Sequence, residues 1–240
     1  MTTLAKITIA LIMAIIMSSC AFDVNFGAGK KGNGEIVKDK REVNDDFTVV
    51  SASEGLDVYV TQGSDYEITV EADDNIIDLI GTDIRDGKLK VHAIENIGRA
   101  TKKVYVTLPE ITGLYASSGA DLESNGIVEA DKISLDASSG ADLKVELTAD
   151  EVDADTSSGA DIRISGQANL FYADASSGSD IKAKDFLVKR CHADASSGSD
   201  ITINVSESLT ADASSGADIS YTGEASVQKK KSVSGSVHKY

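Results

Sequence analysis

Ser117-Ser118-Gly119-Ala120-Asp121 decides how this chain folds, because the same pattern returns five more times. The identical five residues stand at 138–142, 157–161 and 214–218, and a variant with Ser in place of Ala stands at 176–180 and 196–200. Successive copies begin 21, 19, 19, 20 and 18 residues apart. A near-constant period in this range marks a stacked, quasi-one-dimensional fold in which each repeat packs mainly on its neighbours.

The geometry of the repeat follows from a parity count. In residues 209–219 the odd positions are Leu209, Ala211, Ala213, Ser215, Ala217 and Ile219, and the even ones are Thr210, Asp212, Ser214, Gly216 and Asp218. Apolar and polar residues therefore alternate with the period of a β-strand straight through the Ser-Ser-Gly segment. The same split holds over 133–145 and in the coils that carry Val152, Phe171 and Cys191. It places the second Ser of each pair inside, bonded to its neighbours, and makes Cys191 a buried small hydrophobe. A shorter apolar segment, such as Ala168-Asn169-Leu170 or Phe186-Leu187-Val188, brings the chain back to its starting place. Each coil of about 19 residues rises by one strand spacing, about 4.8 Å, so the six copies span a rod roughly 24 Å long. A degenerate seventh coil shows in Val233-Ser234-Gly235-Ser236-Val237, after Lys229-Lys230-Lys231. The expected fold is an all-β solenoid.

Outward parity sets two files of carboxylates: Asp136, Asp155, Asp174, Asp194 and Asp212 in one, and Asp121, Asp142, Asp161, Asp180, Asp200 and Asp218 in the other. Neighbours in a file stand about 5 Å apart, where repulsion in water approaches about 1 kcal/mol per pair. Two readings fit. The carboxylates bond turn amides and keep an exposed sheet soluble, or they form a ligand face or a cation face, with Ca²⁺ the suited ion because it takes several oxygens. The Gly-Gly-x-Gly-x-Asp loop of Ca²⁺-binding β-rolls is missing.

The 240 residues carry a formal charge of −16, which argues against a nucleic-acid partner, whose phosphates would be repelled. Regular alternation and 41% hydrophobic residues separate the chain from acidic disordered sequences. Two cysteines, Cys20 and Cys191, make no disulfide framework.

Residues 1–19 read as an export signal: Lys6, then an uncharged, mostly apolar run over 7–17 that is too short to span a bilayer. Met17-Ser18-Ser19-Cys20 resembles the lipobox of bacterial lipoproteins, which implies cleavage before Cys20 and its acylation. More than one acyl chain gives stable anchoring. Ala21 stands where an Asp would resemble an inner-membrane retention signal, so the analogy favours an outer-membrane lipoprotein of the bacterial envelope, periplasmic or surface-facing. Residues 20–41, rich in Gly and Lys, read as the lipidated Cys and a flexible tether. Gly27-Ala28-Gly29-Lys30-Lys31 lacks the upstream Gly and the following Ser/Thr of a phosphate loop.

Over 42–110 short strands alternate with turns: 47–51, 56–61, 66–72, 88–93 and 103–108, with one helical turn within 74–80 and a hairpin turn at Asp86-Gly87. This N-terminal β segment caps one end of the repeat region, 111–240, and residues 229–240 cap the other. The ordered set Phe47-x-x-Val50, Leu56-Asp57-Val58-Tyr59-Val60-Thr61-Gln62-Gly63, Asp86-Gly87-x-Leu89 and Val106-Thr107-Leu108-Pro109, followed by Ser-Gly repeats, resembles the GIN domain. Members of that family are described as putative autotransporter adhesin head domains and are often lipoproteins. The resemblance covers roughly residues 42–240 and implies a right-handed parallel β-helix.

An enzyme is the weaker expectation. His192, Asp194 and Ser196 share one face, but Asp lies between the other two and adjacent members stand about 7 Å apart, which is the wrong order for a Ser-His-Asp relay. His92, His192 and His238 have no metal-ligand spacing. A carbohydrate-active β-helix enzyme would need long loops and unique acids, whereas these coils are nearly loopless and their carboxylates repeat. The expected function is non-enzymatic: a membrane-anchored rigid surface for adhesion or envelope interactions, meeting a glycan or a surface protein. The alternative is a structural envelope lipoprotein without a specific ligand.

Overall fold

The pentapeptide is the corner of each coil. In the computed structural model, which describes residues 29–229 and 234–240, Ser139 has φ 54° and Gly140 φ 69°. The Ala141 amide donates to the Ser138 carbonyl at 3.3 Å. Two consecutive left-handed residues closed in this way form a type I′ turn. All six copies repeat the left-handed pair, with the second Ser at φ 51–57° and the following Gly at 68–78°, and at 176–180 the Ser179 hydroxyl donates to the Ser176 carbonyl. This corrects the parity count at one place: the second Ser of each pair is exposed at the turn apex, not buried. The count holds at Ala137 and Ala141 on either side, both buried, but the reversal between them carries Ser139 out.

The turns stack. The glycine amide of each turn donates to a serine carbonyl of the next coil, the apex serine in five cases: Gly119 to Ser139 (3.1 Å), Gly140 to Ser158 (3.1 Å), Gly159 to Ser177 (3.2 Å), Gly178 to Ser197 (3.1 Å) and Gly198 to Ser215 (3.2 Å), with Gly216 donating to Ser234 of the degenerate coil (2.8 Å). Between turns run long parallel strands, β9 (Asp121–Ser138), β10 (Asp142–Ser157), β11 (Asp161–Ser176), β12 (Asp180–Ala195) and β13 (Asp200–Ala213). Together they make a solenoid of about six turns with coils of about 19 residues.

Small residues fill the interior next to the turns. Ala137, Thr156, Ala175, Ala195 and Ala213 stand in one column, all buried. Ser179 and Ser199, which replace Ala in two copies, are also inside. Their hydroxyls donate to the carbonyls of Thr156 (3.0 Å) and Ala175 (2.7 Å), so both are satisfied inside the coil. Larger side chains occupy the wider part of the coil, where Phe171 and Phe186 meet edge to face at 5.4 Å. Cys191 stacks on Phe171 in the ladder and is buried as a free thiol, with burial pushing its pKa far up. It is a packing residue, as its parity implied.

The N-terminal part winds out of order. Strands β2 (Val49–Ala52) and β3 (Asp57–Gln62) form a coil around a seventh left-handed pair, Glu54 (φ 62°) and Gly55 (φ 69°), whose glycine amide donates to Ser118 at 3.1 Å. Above it lie β8 (Gly113–Ala116) and β9, and below it β6 (Lys88–Ala93) and β7 (Lys102–Leu108), all parallel. Antiparallel strands then close this end. β4 (Glu67–Asp73) pairs with β7, β1 (Ile36–Arg41) pairs with β4, and β5 (Ile80–Arg85) pairs with β6 across the Asp86-Gly87 turn. The expected helical turn is a short 3₁₀ segment, Ile77–Leu79. At the far end β14 (Asp218–Thr222) and β15 (Ser226–Lys229) lie on β13, and β16 (Ser236–Lys239) lies on β14, so the degenerate seventh coil is present.

The expected tether needs correcting over 29–41. β1 is a strand of the sheet, and the segment before it is stitched down. Buried Asp73 accepts from the amides of Gly34 and Thr101, the latter at 2.7 Å. Asn75 accepts from the Asn33 amide (3.0 Å) and donates to the Lys31 carbonyl (2.9 Å). The Lys30 amide donates to Asn96 (2.9 Å) and that of Gly32 to Arg99 (3.0 Å). The signal segment and Cys20 lie outside the described residues.

Two glycines separate backbone strain from steric fit. Gly159 (φ 71°) faces open space, whereas a Cβ on Gly166 (φ 107°) would meet the Leu147 carbonyl of the neighbouring coil at 2.0 Å. Gly159→Ala should cost about 1 kcal/mol and Gly166→Ala clearly more, read as urea midpoints; equal losses would contradict the close stacking of coils.

Candidate functional site

Strand register settles the two aspartate files. Asp136, Asp155, Asp174, Asp194 and Asp212 are successive partners, as are Asp121, Asp142, Asp161, Asp180, Asp200 and Asp218. The second file is longer than the repeat suggests, because Asp57 pairs with Asp121. Its signal was present: Ser53-Glu54-Gly55-Leu56-Asp57 keeps the Ser-x-Gly-x-Asp spacing.

The files differ in how their charge is balanced. Two residues after Asp142, Asp161 and Asp180 come Lys144, Arg163 and Lys182, which form a parallel cationic file. Arg163 bridges Asp142 (2.7 Å) and Asp161 (2.9 Å), and Lys182 bridges Asp161 and Asp180, both at 3.0 Å. The middle of the second file is thus compensated by the protein's own cations, a pattern legible as Asp-x-Lys/Arg. On either side of that middle, Asp121 and Asp200 have carboxyls pushed up by burial and by neighbouring carboxylates, against the pull of Lys102 and Lys182 respectively.

The first file runs beside Asp153, Tyr172 and His192 instead. Burial raises the Asp155 carboxyl, helped by Asp153, Asp174 and Asp136, and burial raises Asp174, helped by Asp194 and Asp153. Asp136 is raised by burial against Lys88. Among the described residues no group of three or more His, Cys, Asp or Glu converges as a metal site. Each coil offers one carboxylate per file per level, which makes a row and not a cage.

The corner opposite the turns holds a feature that the parity count did not reveal. A groove of about 1040 Å³ runs along the solenoid axis from Glu110 and Thr112 at one end to Leu187 and Ser206 at the other. Its floor runs over Ala130, Ala149 and Ala168, in register, with their small side chains packed toward the core. Thr148 and Gln167 stand along one side, Asp150 and Asn169 along the other, with the Asn169 amide donating to Asp150 at 2.6 Å. The Gln62 side chain fixes the lower end: it accepts from the Glu129 amide (2.7 Å) and donates to the carbonyls of Glu129 (3.0 Å) and Pro109 (3.2 Å). The sequence signal is the tripeptide series Glu129-Ala130-Asp131, Thr148-Ala149-Asp150 and Gln167-Ala168-Asn169, at intervals of 19.

A family model described as "Putative auto-transporter adhesin, head GIN domain" matches residues 46–225. The chain belongs to this family. Solved structures share the GIN-domain fold. A putative adhesin from Bacteroides fragilis aligns with a TM-score of 0.77 at 19% identity over 88% of this chain and 100% of its own. One from Parabacteroides merdae aligns at 0.71 and 21% over 89% and 99%. A putative lipid binding protein from Parabacteroides distasonis aligns at 0.69 and 17% over 88% and 99%. No curated protein matches.

Among the described residues, His92 bonds Asp83 at 2.7 Å on the β5–β6 hairpin, and His192 and His238 lie on the repeat coils. His192 stacks on Tyr172 at 5.3 Å, with the ring planes 12° apart. His238 lies between the hydroxyls of Ser220 (3.1 Å) and Ser236 (3.2 Å) on an exposed sheet face. Among the described residues its ring partners are these two serines, an arrangement unlike the carboxylate-oriented ring of a hydrolytic triad.

The two files predict opposite mutant effects. A carboxyl whose pKa is raised by folding holds its proton more readily when folded, so its penalty grows as pH rises through the raised value. Asp155→Asn should therefore raise the melting temperature at pH 7, and the gain should vanish below the ordinary Asp range. Arg163→Ala should lower stability at pH 7 by less than about 1 kcal/mol, as befits a half-exposed pair. Thermal melts at pH 7 and pH 3 check both signs.

Proposed function

We propose that this GIN domain is a non-enzymatic envelope lipoprotein whose rigid solenoid acts in adhesion or contact with other surfaces. The observation that carries the reading is the periodicity of the outer face. Its carboxylates, hydroxyls and cations recur coil after coil on paired strands, which suits an extended contact surface. An active centre needs one constellation unlike its surroundings. The family description and the putative adhesins among the similar folds support the same reading.

Anchoring through Cys20 completes the proposal. The first described contacts begin at Gly29 and Lys30, so eight residues, 21–28, separate the cysteine from the cap. Eight residues reach at most about 28 Å. Lipidation at Cys20 then keeps the β1 end of the solenoid near the outer membrane. A purely structural envelope role is the second reading. It is favoured by one feature: Arg163 and Lys182 satisfy part of the carboxylate surface internally.

Cys20→Ala should move the protein from the membrane fraction to the soluble fraction; a wild-type chain already soluble would overturn the anchor. On intact cells a membrane-impermeant amine reagent should label the wild-type protein. Labelling only after lysis would contradict an adhesive role.

A further inference from the structure

We infer that the axial groove binds a neutral, hydroxyl-rich glycan chain lying parallel to the solenoid axis. The inference rests on the adhesive reading and gives it a ligand class.

Length comes first. From Glu110 to Ser206 the groove crosses five coil steps, about 24 Å at one strand spacing each. That is the reach of a linear polymer several units long, not of a compact metabolite. Its open, straight course admits a chain that continues beyond both ends.

The side chains then select the polymer. Gln167 and Asn169 each supply both donors and acceptors, Thr148 a hydroxyl, and Asp150 a carboxylate that already accepts from Asn169. Neutral sugars present paired hydroxyls that donate and accept, which such a set can satisfy on both sides. Ala130, Ala149 and Ala168 turn their methyls toward the core, which keeps the floor between the walls low enough for a chain to lie in. Repetition matters too, because corresponding wall positions recur at each coil and one chain can engage several levels together.

The same groove disfavours the other polymers. Glu110, Glu129, Asp131 and Asp150 outnumber Lys132 and Lys189, and Lys132 is held by Glu151 at 2.7 Å, so anionic chains meet net repulsion. An extended peptide gains affinity by adding to an open strand edge. The floor strands here are already paired on both sides, β10 with β9 and β11, and β11 with β10 and β12. Leu187 is the single large exposed apolar residue in the lining, too little for a row of apolar peptide side chains.

The test uses the full-length chain in detergent, titrated with cellohexaose, maltohexaose, chitohexaose and mannohexaose, with hexagalacturonate as the acidic comparison. At least one neutral hexamer should bind more tightly than hexagalacturonate. The double variant Gln167→Ala with Asn169→Ala should weaken that binding at least tenfold. Thr148→Arg, which fills the groove from its exposed wall, should abolish it, and Asp155→Asn on the distant carboxylate file should leave it unchanged. Circular dichroism confirms the fold of each variant. Failure of every neutral hexamer, preference for the acidic one, or full binding by the double variant would overturn the inference. Beads coated with the chain separate this from the broader reading. Adhesion to epithelial or bacterial surfaces that periodate removes supports the glycan. Adhesion that survives periodate overturns the glycan and keeps the adhesin, and no adhesion at all overturns both.

Discussion

The glycine amide of each turn donates to a serine carbonyl of the next coil, and this ladder fixes the rest of the solenoid. Six serines sit in the left-handed region, a conformation that costs an L-residue about 1–2 kcal/mol. Each inter-coil hydrogen bond returns only about 0.5–1.5 kcal/mol net, so the ladder alone does not account for the turns. The balance comes from what the tight corner permits: a narrow interior in which Ala137, Thr156, Ala175 and their column are buried, with Ser179 and Ser199 donating across it to the Thr156 and Ala175 carbonyls. Turn, small-residue column and strand register depend on one another. A register slip would misplace all three.

A stack of open coils leaves two ends with unpaired strands, which are hazards for aggregation. At the N-terminal end the chain reverses direction: β4 and β5 run antiparallel to the last coil, and β1 covers β4. β1 carries Lys38, Lys40 and Arg41, charges that make a poor template for another strand. The coil made by β2 and β3 is held between two coils that come later in sequence. It is therefore completed only after residues up to β9 have wound. At the other end β15 and β16 are short, so little edge is offered.

Period, parity and the register of both aspartate files were legible in the sequence, because each is a matter of counting along a regular strand. The apex serines were not, since alternation cannot register a left-handed backbone that flips one residue between two buried ones. The order of residues 29–41 was hidden for another reason: a glycine-rich stretch looks like linker, and its partners Asp73, Asn75 and Asn96 lie some 40 or more residues on. Asp57 and the cations Arg163 and Lys182 were readable at fixed spacing from the repeat. The groove was written as Ala between polar residues every 19 positions, but a small residue in a sequence does not reveal whether larger neighbours close over it.

Function follows from the same regularity. A solenoid with short corners spends its surface on repetition, so chemistry appears as files and grooves, the kind of surface on which the proposed contact role rests. All of this depends on the stacked turns being a rigid ladder. Native-state hydrogen exchange at the amides of Gly119, Gly140, Gly159, Gly178, Gly198 and Gly216 tests that most directly. Protection matching the adjoining strands is predicted for all six; exchange at the rate of open surface loops would contradict the ladder.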